Sequence, residues 1–227
     1  MDDATVLAAD SIEKSYGSGA NALMVLKGIS LEIRKGEIIS IVGPSGAGKS
    51  TLLNLFGCLD SFQSGSLSVM GKDVANFSVD MLSSFRNMHL GFIFQLHNLL
   101  PEFTALENVM MPLMIRRMKK ADAAEKARHL LDRFRLSDRA HHKPPELSGG
   151  ECQRIAVARA IVGNPDIVLA DEPTGNLDRE NSRNLTEIFL ALGRENRTTI
   201  VIVTHDREIA GMTERTISLV DGRIVNA

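Results

Sequence analysis

The sequence contains no tryptophan, one tyrosine and only two cysteines, and it has no long uninterrupted apolar run. Two cysteines are too few for the disulfide framework of a small secreted domain. No stretch reaches the roughly 18 to 20 consecutive apolar residues of a membrane-spanning helix, so we expect any membrane contact to be made through a partner. The first residues, MDDATVLAAD, lack the basic start and apolar run of a signal peptide.

The chain also lacks an excess of basic residues. Its 26 lysines and arginines stand against 28 acidic residues, whereas a protein that neutralises nucleic-acid phosphates needs a basic face. We therefore expect no nucleic-acid partner. The length of 227 residues, 44% of them hydrophobic, is enough for a globular protein of one large domain or two small lobes.

The order of the predicted elements indicates an α/β fold. Near the N-terminus, short apolar runs alternate with turn residues, as in VLKGISLEIRKGE, which is typical of antiparallel strands. Three β-branched runs, at residues 38–42, 166–171 and 199–205, predict buried strands. Because helical segments separate these runs, we expect a parallel sheet that is covered on both faces.

Helices and turns are predicted at four other places. One helix is expected over about residues 49–59, and an amphipathic helix over about residues 182–192 should end at Gly193. The pair Asp221 and Gly222 predicts a hairpin near the C-terminus. Between about residues 85 and 163 the chain reads as helical, so we expect a helical subdomain inserted into a sheet core formed by about residues 1–84 and 164–227.

The segment GPSGAGKST lies between a predicted strand and a predicted helix and fits the phosphate-binding pattern G-x-x-x-x-G-K-[ST]. Its glycines let the backbone approach phosphates, its lysine balances their charge, and its serine offers a hydroxyl to Mg²⁺. The segment therefore predicts binding of a nucleotide and of Mg²⁺. Its residues are Gly43, Pro44, Ser45, Gly46, Ala47, Gly48, Lys49, Ser50 and Thr51.

Charged and polar residues follow the other two predicted strands. Asp171 ends the run DIVLAD, Glu172 comes directly after it, and His205 ends TIVIVTH. Because parallel strand ends meet at one sheet edge, Asp171 could hold Mg²⁺, Glu172 could face an attacking water, and His205 could donate to a γ-phosphate. Taken alone, the acidic pair would more often be a helix cap and the histidine an ordinary edge residue.

Two further sites carry weaker signals. Tyr16, in KSYGSG, is either an exposed turn aromatic or a flat face for adenine, and the sequence leaves both interpretations open. Gln95, in FIFQLHNLL, lies in no pattern that by itself predicts a function.

The region Met81–Met118 holds six of the ten methionines with several phenylalanines. It forms either packed core or an adaptable surface for a partner helix.

A glycine pair also precedes a helix in the stretch LSGGECQR. The Ser148 hydroxyl and the N–H groups of Gly149 and Gly150 would lie at a helix N-terminus, where the dipole favours an anion. A plain serine cap would be the usual explanation. No lysine or metal-binding carboxylate accompanies these residues, so they cannot form a second complete nucleotide site, although they could form half of one.

In this order, GPSGAGKST, Gln95, LSGGE, IVLADE, GNLD and His205 resemble the ATP-binding subunit of an ABC transporter, over nearly the whole chain. The resemblance implies a P-loop NTPase fold with a RecA-like parallel-sheet core, an N-terminal antiparallel β subdomain and an inserted α-helical subdomain, which together make one ABC ATPase domain over residues 1–227. It also implies a homodimer that forms head to tail on ATP binding.

The resemblance further assigns roles to individual residues. The expected ATP-binding residues are Tyr16 on the adenine, Gly43 to Thr51 around the phosphates, and Ser148, Gly149 and Gly150 on the partner subunit's ATP. The expected ligands or sensors of Mg²⁺ are Ser50, Gln95 and Asp171. The expected catalytic residues are Glu172, His205 and Gln95, and Asn176–Asp178 would bridge the dimer.

Within the family, LGFIFQLHNLLPEFTALENVMMPL is most similar to ATPases of lipoprotein-releasing systems. MacB-like peptide, drug or macrolide exporters and FtsE-like cell-division ATPases are the alternatives. The lipoprotein-releasing assignment implies ATP hydrolysis that powers a separate integral membrane permease with LolC/LolE-like subunits. These subunits would dock near Phe85–Met118. The expected location is therefore the cytoplasmic face of the inner membrane, and the cargo is not determined.

Overall fold

The computed structural model describes residues 4–226, apart from residues 18, 20 and 21. Residues 1–3 of the N-terminal stretch MDDATVLAAD lie outside the described residues. The strands are β1 (Thr5–Tyr16), β2 (Leu23–Arg34), β3 (Ile38–Val42), β4 (Ser64–Val69), β5 (Lys72–Asp73), β6 (Leu90–Ile93), β7 (Ile167–Asp171), β8 (Thr199–Val203), β9 (Arg215–Val220) and β10 (Arg223–Asn226). The helices are α1 (Lys49–Phe56), α2 (Val79–His89), α3 (Ala105–Ile115), α4 (Lys120–Arg133), α5 (Gly149–Ile161), α6 (Arg179–Asn196) and α7 (Arg207–Ala210).

The strands form two sheets. The N-terminal sheet is antiparallel with the order β2-β1-β4-β5, and the second sheet has the order β10-β9-β3-β8-β7-β6. In the second sheet the strands from β9 to β6 are parallel, and only β10 pairs antiparallel to its neighbour β9. The predicted α/β class, with a parallel core and an N-terminal antiparallel sheet, is therefore confirmed.

The parallel sheet separates two hydrophobic clusters. Alternate strand residues point to opposite faces, so Ile38 and Ile200 pack against the helices α3 to α6, whereas Ile39 and Val201 pack against α1 and the antiparallel sheet. Such burial on both faces explains why these strands read as continuous β-branched runs. It also brings the carboxyl ends of β3, β7 and β8 to the same edge of the sheet.

Most predicted elements are confirmed with small changes at their ends. The three buried runs become β3, β7 and β8, and the hairpin between β9 and β10 turns at Asp221 and Gly222, whose φ angles are 46° and 71°. Two positive φ angles are what a tight two-residue hairpin requires. The first helix ends at Phe56, earlier than the sequence suggested, because Gly57 and Cys58 form a turn.

Two details of the sequence prediction were wrong. The run Leu90–Ile93 was counted as helical, yet it is strand β6 and pairs in parallel with β7. A four-residue apolar run is too short for its periodicity to distinguish strand from helix. Gly193 does not end helix α6, which continues to Asn196. The subdomain boundaries near residues 84 and 164 stay a prediction.

The reason for the glycine inside α6 is the close approach of β8. A Cβ atom at position 193 would lie 2.3 Å from Cδ1 of Ile200. The glycine is therefore a packing residue of the core, not a helix stop. In the part of the chain that the structure describes, no helix is both long enough and apolar enough to cross a membrane.

Candidate functional site

The loop between β3 and α1 contains the predicted phosphate-binding residues. A Cβ atom at Gly43 would lie 2.0 Å from the Leu219 carbonyl oxygen, so only glycine lets the chain leave the sheet at this point. Lys49 begins α1, and its Nζ donates to the carbonyl oxygens of Gly43 and Pro44, each at 3.0 Å. The lysine ammonium is thereby held close to a helix N-terminus, which favours phosphate.

This loop forms one wall of a cleft of about 540 Å³. The cleft brings together the loop with Gln95, Asp171, Glu172 and His205, which come from three other parts of the chain. The lining residues are Leu23, Val25, Gly43, Ser45, Gly46, Gly48, Lys49, Ser50, Thr51, Gln95, Asp171, Glu172, Val203 and His205. Pro44 is in the loop without lining the cleft, and Ala47 is buried behind it.

Asp171 and Ser50 form the part of the cleft that is suited to a metal ion. Burial raises the pKa of the Asp171 carboxyl, and the charge of Glu172 raises it further, while a hydrogen bond from the Ser50 hydroxyl lowers it. The half-buried carboxylate of Asp171, the Ser50 hydroxyl and the nearby Gln95 amide are oxygen donors of the kind that Mg²⁺ prefers. Among the described residues no group of three or more His, Cys, Asp or Glu side chains could hold a metal ion.

Glu172 and His205 form a hydrogen-bonded pair at the edge of the cleft. His205 Nδ1 lies 2.7 Å from Glu172 Oε1, and the Thr204 hydroxyl lies 3.3 Å from Glu172 Oε2. The Glu172 backbone has a φ of 46°, in the left-handed region, and its N–H donates to the Val203 carbonyl at 2.8 Å. Both carboxylate oxygens are therefore oriented, as a residue that positions a water molecule requires.

Polar side chains of α5, which the sequence analysis missed, hold loops that come from other parts of the chain. Gln153, only 4% exposed, donates through Nε2 to the carbonyl oxygens of Pro173 at 2.7 Å and of Phe94 at 3.2 Å. Arg159 donates to the carbonyl oxygens of Asn98 and His97 at 2.7 and 2.8 Å. The available signal was a polar residue on the buried face of an apolar helix, because such a residue must find a partner.

The loop after Glu172 also meets the segment of Gln95. The Asn176 side chain donates to the Gln95 carbonyl oxygen at 2.9 Å, and Asp178 caps α6 by accepting from the Asn181 N–H at 2.9 Å. The Gln95 side chain lies near Gly175, where a Cβ atom would be 3.3 Å from its Nε2. The predicted dimer-bridging residues thus lie beside the cleft.

The structure does not bring Ser148, Gly149 and Gly150 to this cleft. Ser148 caps α5 in a capping box with Glu151, whose Oε2 accepts from the Ser148 N–H at 2.8 Å and from its hydroxyl at 2.9 Å. These bonds, together with one from Arg139, lower the pKa of Glu151 to about 2. A Cβ atom at Gly149 would meet nothing within 4 Å, so this helix end faces open space.

Tyr16 ends β1 beside the cleft and is not among the residues that line it. In the β-ladder it lies opposite Leu23, which does line the cleft. Its ring is 43% exposed, and its hydroxyl donates to Asp60 Oδ2 at 2.7 Å. Burial and then the bond to Asp60 raise the pKa of the Tyr16 hydroxyl, whereas a hydrogen bond with Thr51 lowers it.

A second cavity, of about 550 Å³, lies where a partner helix was expected. We call it the α2–α3 groove, and it is lined by Leu59, Ser83, Arg86, Asn87, Leu90, Gly91, Phe92, Phe94, Asn98, Met111, Pro112, Ile115, Arg116, Arg159, Ala160 and Gly163. Phe92 and Phe94 stack with their ring centroids 6.0 Å apart. Phe85 is instead buried in the core, and Phe103 does not line the groove.

Comparisons with known proteins identify the family of the chain. The ABC transporter family model matches residues 26–175. The chain is 52% identical over 216 residues to the lipoprotein-releasing system ATP-binding protein LolD of Bacteroides fragilis, covering 95% of this chain and 98% of the relative. It is also 46% identical to LolD of Pseudomonas syringae pv. tomato over the full length of both chains.

Solved structures give the same result. The ATP-binding cassette MJ0796, in a dimeric post-hydrolysis state bound to ADP and Pi, superposes with a TM-score of 0.91 at 39% identity, covering 97% of each chain. A second dimeric structure of MJ0796, described as a bacterial ABC transporter cassette, gives the same values. At this identity and coverage, the likeness includes the fold of nearly the whole chain.

Proposed function

This chain belongs to the ABC transporter family, and from that membership we propose that it is the ATP-hydrolysing subunit that powers lipoprotein release by a separate membrane permease. The observation that carries the proposal is the convergence of Gln95, Asp171, Glu172 and His205 on the phosphate-binding loop. These residues come from different strands and loops, yet they line one cleft. The lipoprotein cargo rests on the likeness to the LolD relatives.

In the proposed reaction the loop Gly43–Thr51 binds the phosphates of ATP. Its N–H groups lie at the N-terminus of α1, and Lys49 exchanges the carbonyl oxygens that it contacts now for phosphate oxygens. Ser50, Gln95 and Asp171 would hold Mg²⁺, which neutralises phosphate charge when it is bound. The raised pKa of Asp171 fits a half-buried carboxylate that an added cation would stabilise.

Hydrolysis itself needs a positioned water and stabilisation of the transferred phosphoryl group. Glu172, oriented by His205 and Thr204, polarises the water for attack. His205 has its other ring nitrogen free of this bond and can donate to the γ-phosphate when that nitrogen is protonated. The protein acts by positioning and electrostatics, with no covalent intermediate on the chain.

A head-to-tail homodimer would complete the site. Ser148, Gly149 and Gly150 do not line the cleft of their own chain, and a Cβ atom at Gly149 would face open space. In the proposed dimer they contact the γ-phosphate of the ATP that is bound by the partner, and Asn176–Asp178 lie at the boundary. Both chains then contact each γ-phosphate. Hydrolysis releases this phosphate and so removes the negative charge that holds the two chains together.

The α2–α3 groove is the proposed docking site for the permease. Its floor carries Phe92, Met111 and Ile115, the last of which is 63% exposed. An amphipathic helix of LolC/LolE-like subunits would bury this apolar surface. Docking of this kind would place the chain at the cytoplasmic face of the inner membrane.

The test is reconstitution of the chain with the permease that co-purifies with it. We expect ATP to release a lipid-anchored protein from proteoliposomes, and the Glu172→Gln complex to release none. A complex that hydrolyses ATP but exports a soluble peptide or drug instead would contradict the lipoprotein assignment and support the MacB-like alternative. A partner acting in cell division would support the FtsE-like alternative.

A further inference from the structure

Lys14 is a buried cation on β1, outside the catalytic cleft. It is 4% exposed, and a buried charge is costly unless it is paired. Its Nζ donates to Asp60 Oδ1 at 2.7 Å and to the Ser61 carbonyl. Asp60 lies beyond the end of α1, so this pair joins the antiparallel sheet to the segment that follows the phosphate-binding helix.

The same carboxylate also binds Tyr16. Asp60 Oδ1 accepts from Lys14 and from the Ser61 N–H, while Oδ2 accepts from the Tyr16 hydroxyl at 2.7 Å. Lys14 Nζ lies 4.7 Å from the centroid of the Tyr16 ring, within the range of a cation–π contact. The ring is thereby fixed both at its hydroxyl and over one face, so a base can approach from the opposite face.

These contacts link the ring to the phosphate-binding loop. Thr51, in the first turn of α1, lies close enough to the Tyr16 hydroxyl to lower its pKa. Thr51 lies in α1 and Asp60 follows the end of this helix, so the ring is positioned relative to the helix whose N-terminus would hold the phosphates. A ring that is fixed in advance loses less conformational entropy when it stacks on a base.

We propose that Lys14 and Asp60 are positioning residues that fix the Tyr16 ring as the adenine platform of this ATPase. The proposal rests on the proposed function, in which Tyr16 stacks on adenine. It goes further because it assigns adenine binding to a buried ion pair that touches neither the nucleotide nor the cleft. Loss of the pair should weaken recognition of the base and spare recognition of the phosphates.

The test compares ATP with inorganic tripolyphosphate, which has phosphates and no base. In Asp60→Asn an amide nitrogen replaces one oxygen, so the side chain can still accept from Lys14 while it presents a donor to the Tyr16 hydroxyl. We expect ATP to bind about three- to tenfold more weakly and tripolyphosphate to bind as before. Asp132→Asn is the matched control, because Asp132 also accepts from a hydroxyl, that of Ser137, and lies on α4.

The composition offers a second measurement. Tyr16 is the only tyrosine and there is no tryptophan, so tyrosine emission reports this one ring. A carboxylate that accepts from a phenol hydroxyl quenches its emission. Asp60→Asn should therefore be brighter than the parent chain, and Asp132→Asn should be unchanged. Equal emission from all three chains would contradict the Tyr16–Asp60 contact.

Tyr16→Ala separates this inference from the proposed function. If Tyr16→Ala leaves the ratio of ATP to tripolyphosphate affinity unchanged, the adenine role of Tyr16 itself is wrong. If Tyr16→Ala lowers that ratio about tenfold but Asp60→Asn does not, the positioning role alone is wrong. If Asp60→Asn weakens the binding of ATP and of tripolyphosphate equally, Asp60 has only a structural role. That result would also overturn the positioning role. Should Asp60→Asn fail to fold, Tyr16→Phe applies the same test, because it removes the hydroxyl and leaves the Lys14–Asp60 pair.

Discussion

Glu172 has a left-handed backbone, with a φ of 46°, a conformation that costs a residue with a side chain about 1 to 2 kcal/mol. Such strain persists only where the surroundings over-determine it, and it concentrates at functional sites. Here the Glu172 N–H is bonded to Val203, and the carboxylate to His205 and Thr204. The strained backbone aims the carboxylate at the cleft.

The first prediction concerns this carboxylate. Glu172→Gln keeps the shape of the side chain but removes the charge that polarises water, so we expect turnover to fall about 10²- to 10⁴-fold. ATP affinity should be retained, because the phosphate-binding loop is untouched. Steady-state phosphate release and equilibrium binding of ATP measure the two effects. Near-normal hydrolysis would remove Glu172 from the mechanism.

The residues that could be predicted are those whose position follows from the ends of parallel strands. Asp171, Glu172 and His205 are adjacent to buried runs, and the sheet brings them to one edge whatever the details of packing. Gln153 and Lys14 could not be predicted in the same way. Their partners lie dozens of residues away in sequence, so only the folded chain shows what they bind.

At the scale of single elements, helix α6 shows why local signals failed. A glycine near a helix end predicts a C-cap, but Gly193 is required by the approach of β8. Strand β6 is a run whose apolar residues show no clear helical or strand periodicity. It is a strand because it pairs with β7. In both cases tertiary packing overrides the local preference.

The second prediction tests the contact between α6 and β8. Gly193→Ala gains up to about 1 kcal/mol of helix propensity but brings a methyl group within 2.3 Å of Ile200 Cδ1. Overpacking of this kind costs about 1 to 3 kcal/mol, so we expect a net loss in the free energy of unfolding by urea. Ile200→Val removes the clashing atom, and the double variant should recover much of the loss. Additive effects in this cycle would contradict the contact.

The third prediction concerns the N-terminus of α5. Gly149→Asp places a carboxylate at the first position of the helix, where the fold tolerates it because the site is open and the dipole favours it. The same charge would repel the partner's γ-phosphate, so ATP should no longer drive dimerisation while each chain still binds ATP. Sedimentation in the Glu172→Gln background measures this.

A matched control exists at the start of α2. Val79 also follows a serine cap at the first helical position and is 78% exposed. Val79→Asp therefore introduces the same charge in the same local geometry, and the ATP dimer should persist. If Gly149→Asp also dimerised normally, Ser148–Gly150 would not contact the second ATP.

At the scale of the whole molecule, the α2–α3 groove yields the fourth prediction. Ile115→Glu puts a charge on an exposed apolar position of the groove, so stability and basal ATP turnover should stay near the parent values. Co-purification of the permease should be lost. Val225→Glu, at a similarly exposed position on β10, is the control and should leave the complex intact. If the permease still co-purifies with Ile115→Glu, the docking site is not the α2–α3 groove.

Helix α5 is a rod about 20 Å long that touches three regions at once. Its N-terminus would meet the partner's ATP, Gln153 holds the loops around its own ATP, and Arg159 lines the α2–α3 groove. In the proposed dimer we therefore expect occupancy of one ATP site to change the ATP affinity of the other, so that turnover depends sigmoidally on ATP concentration.

The fifth prediction is that Gln153→Leu uncouples the two sites. The substitution removes the donors to Pro173 and Phe94 and keeps a side chain of similar volume. The Hill coefficient for ATP should fall towards one, while ATP bound by an isolated chain keeps its affinity. An unchanged Hill coefficient would exclude the helix as the route of communication. A Hill coefficient that falls towards one would instead make the cooperative kinetics a mechanical property of one rigid helix.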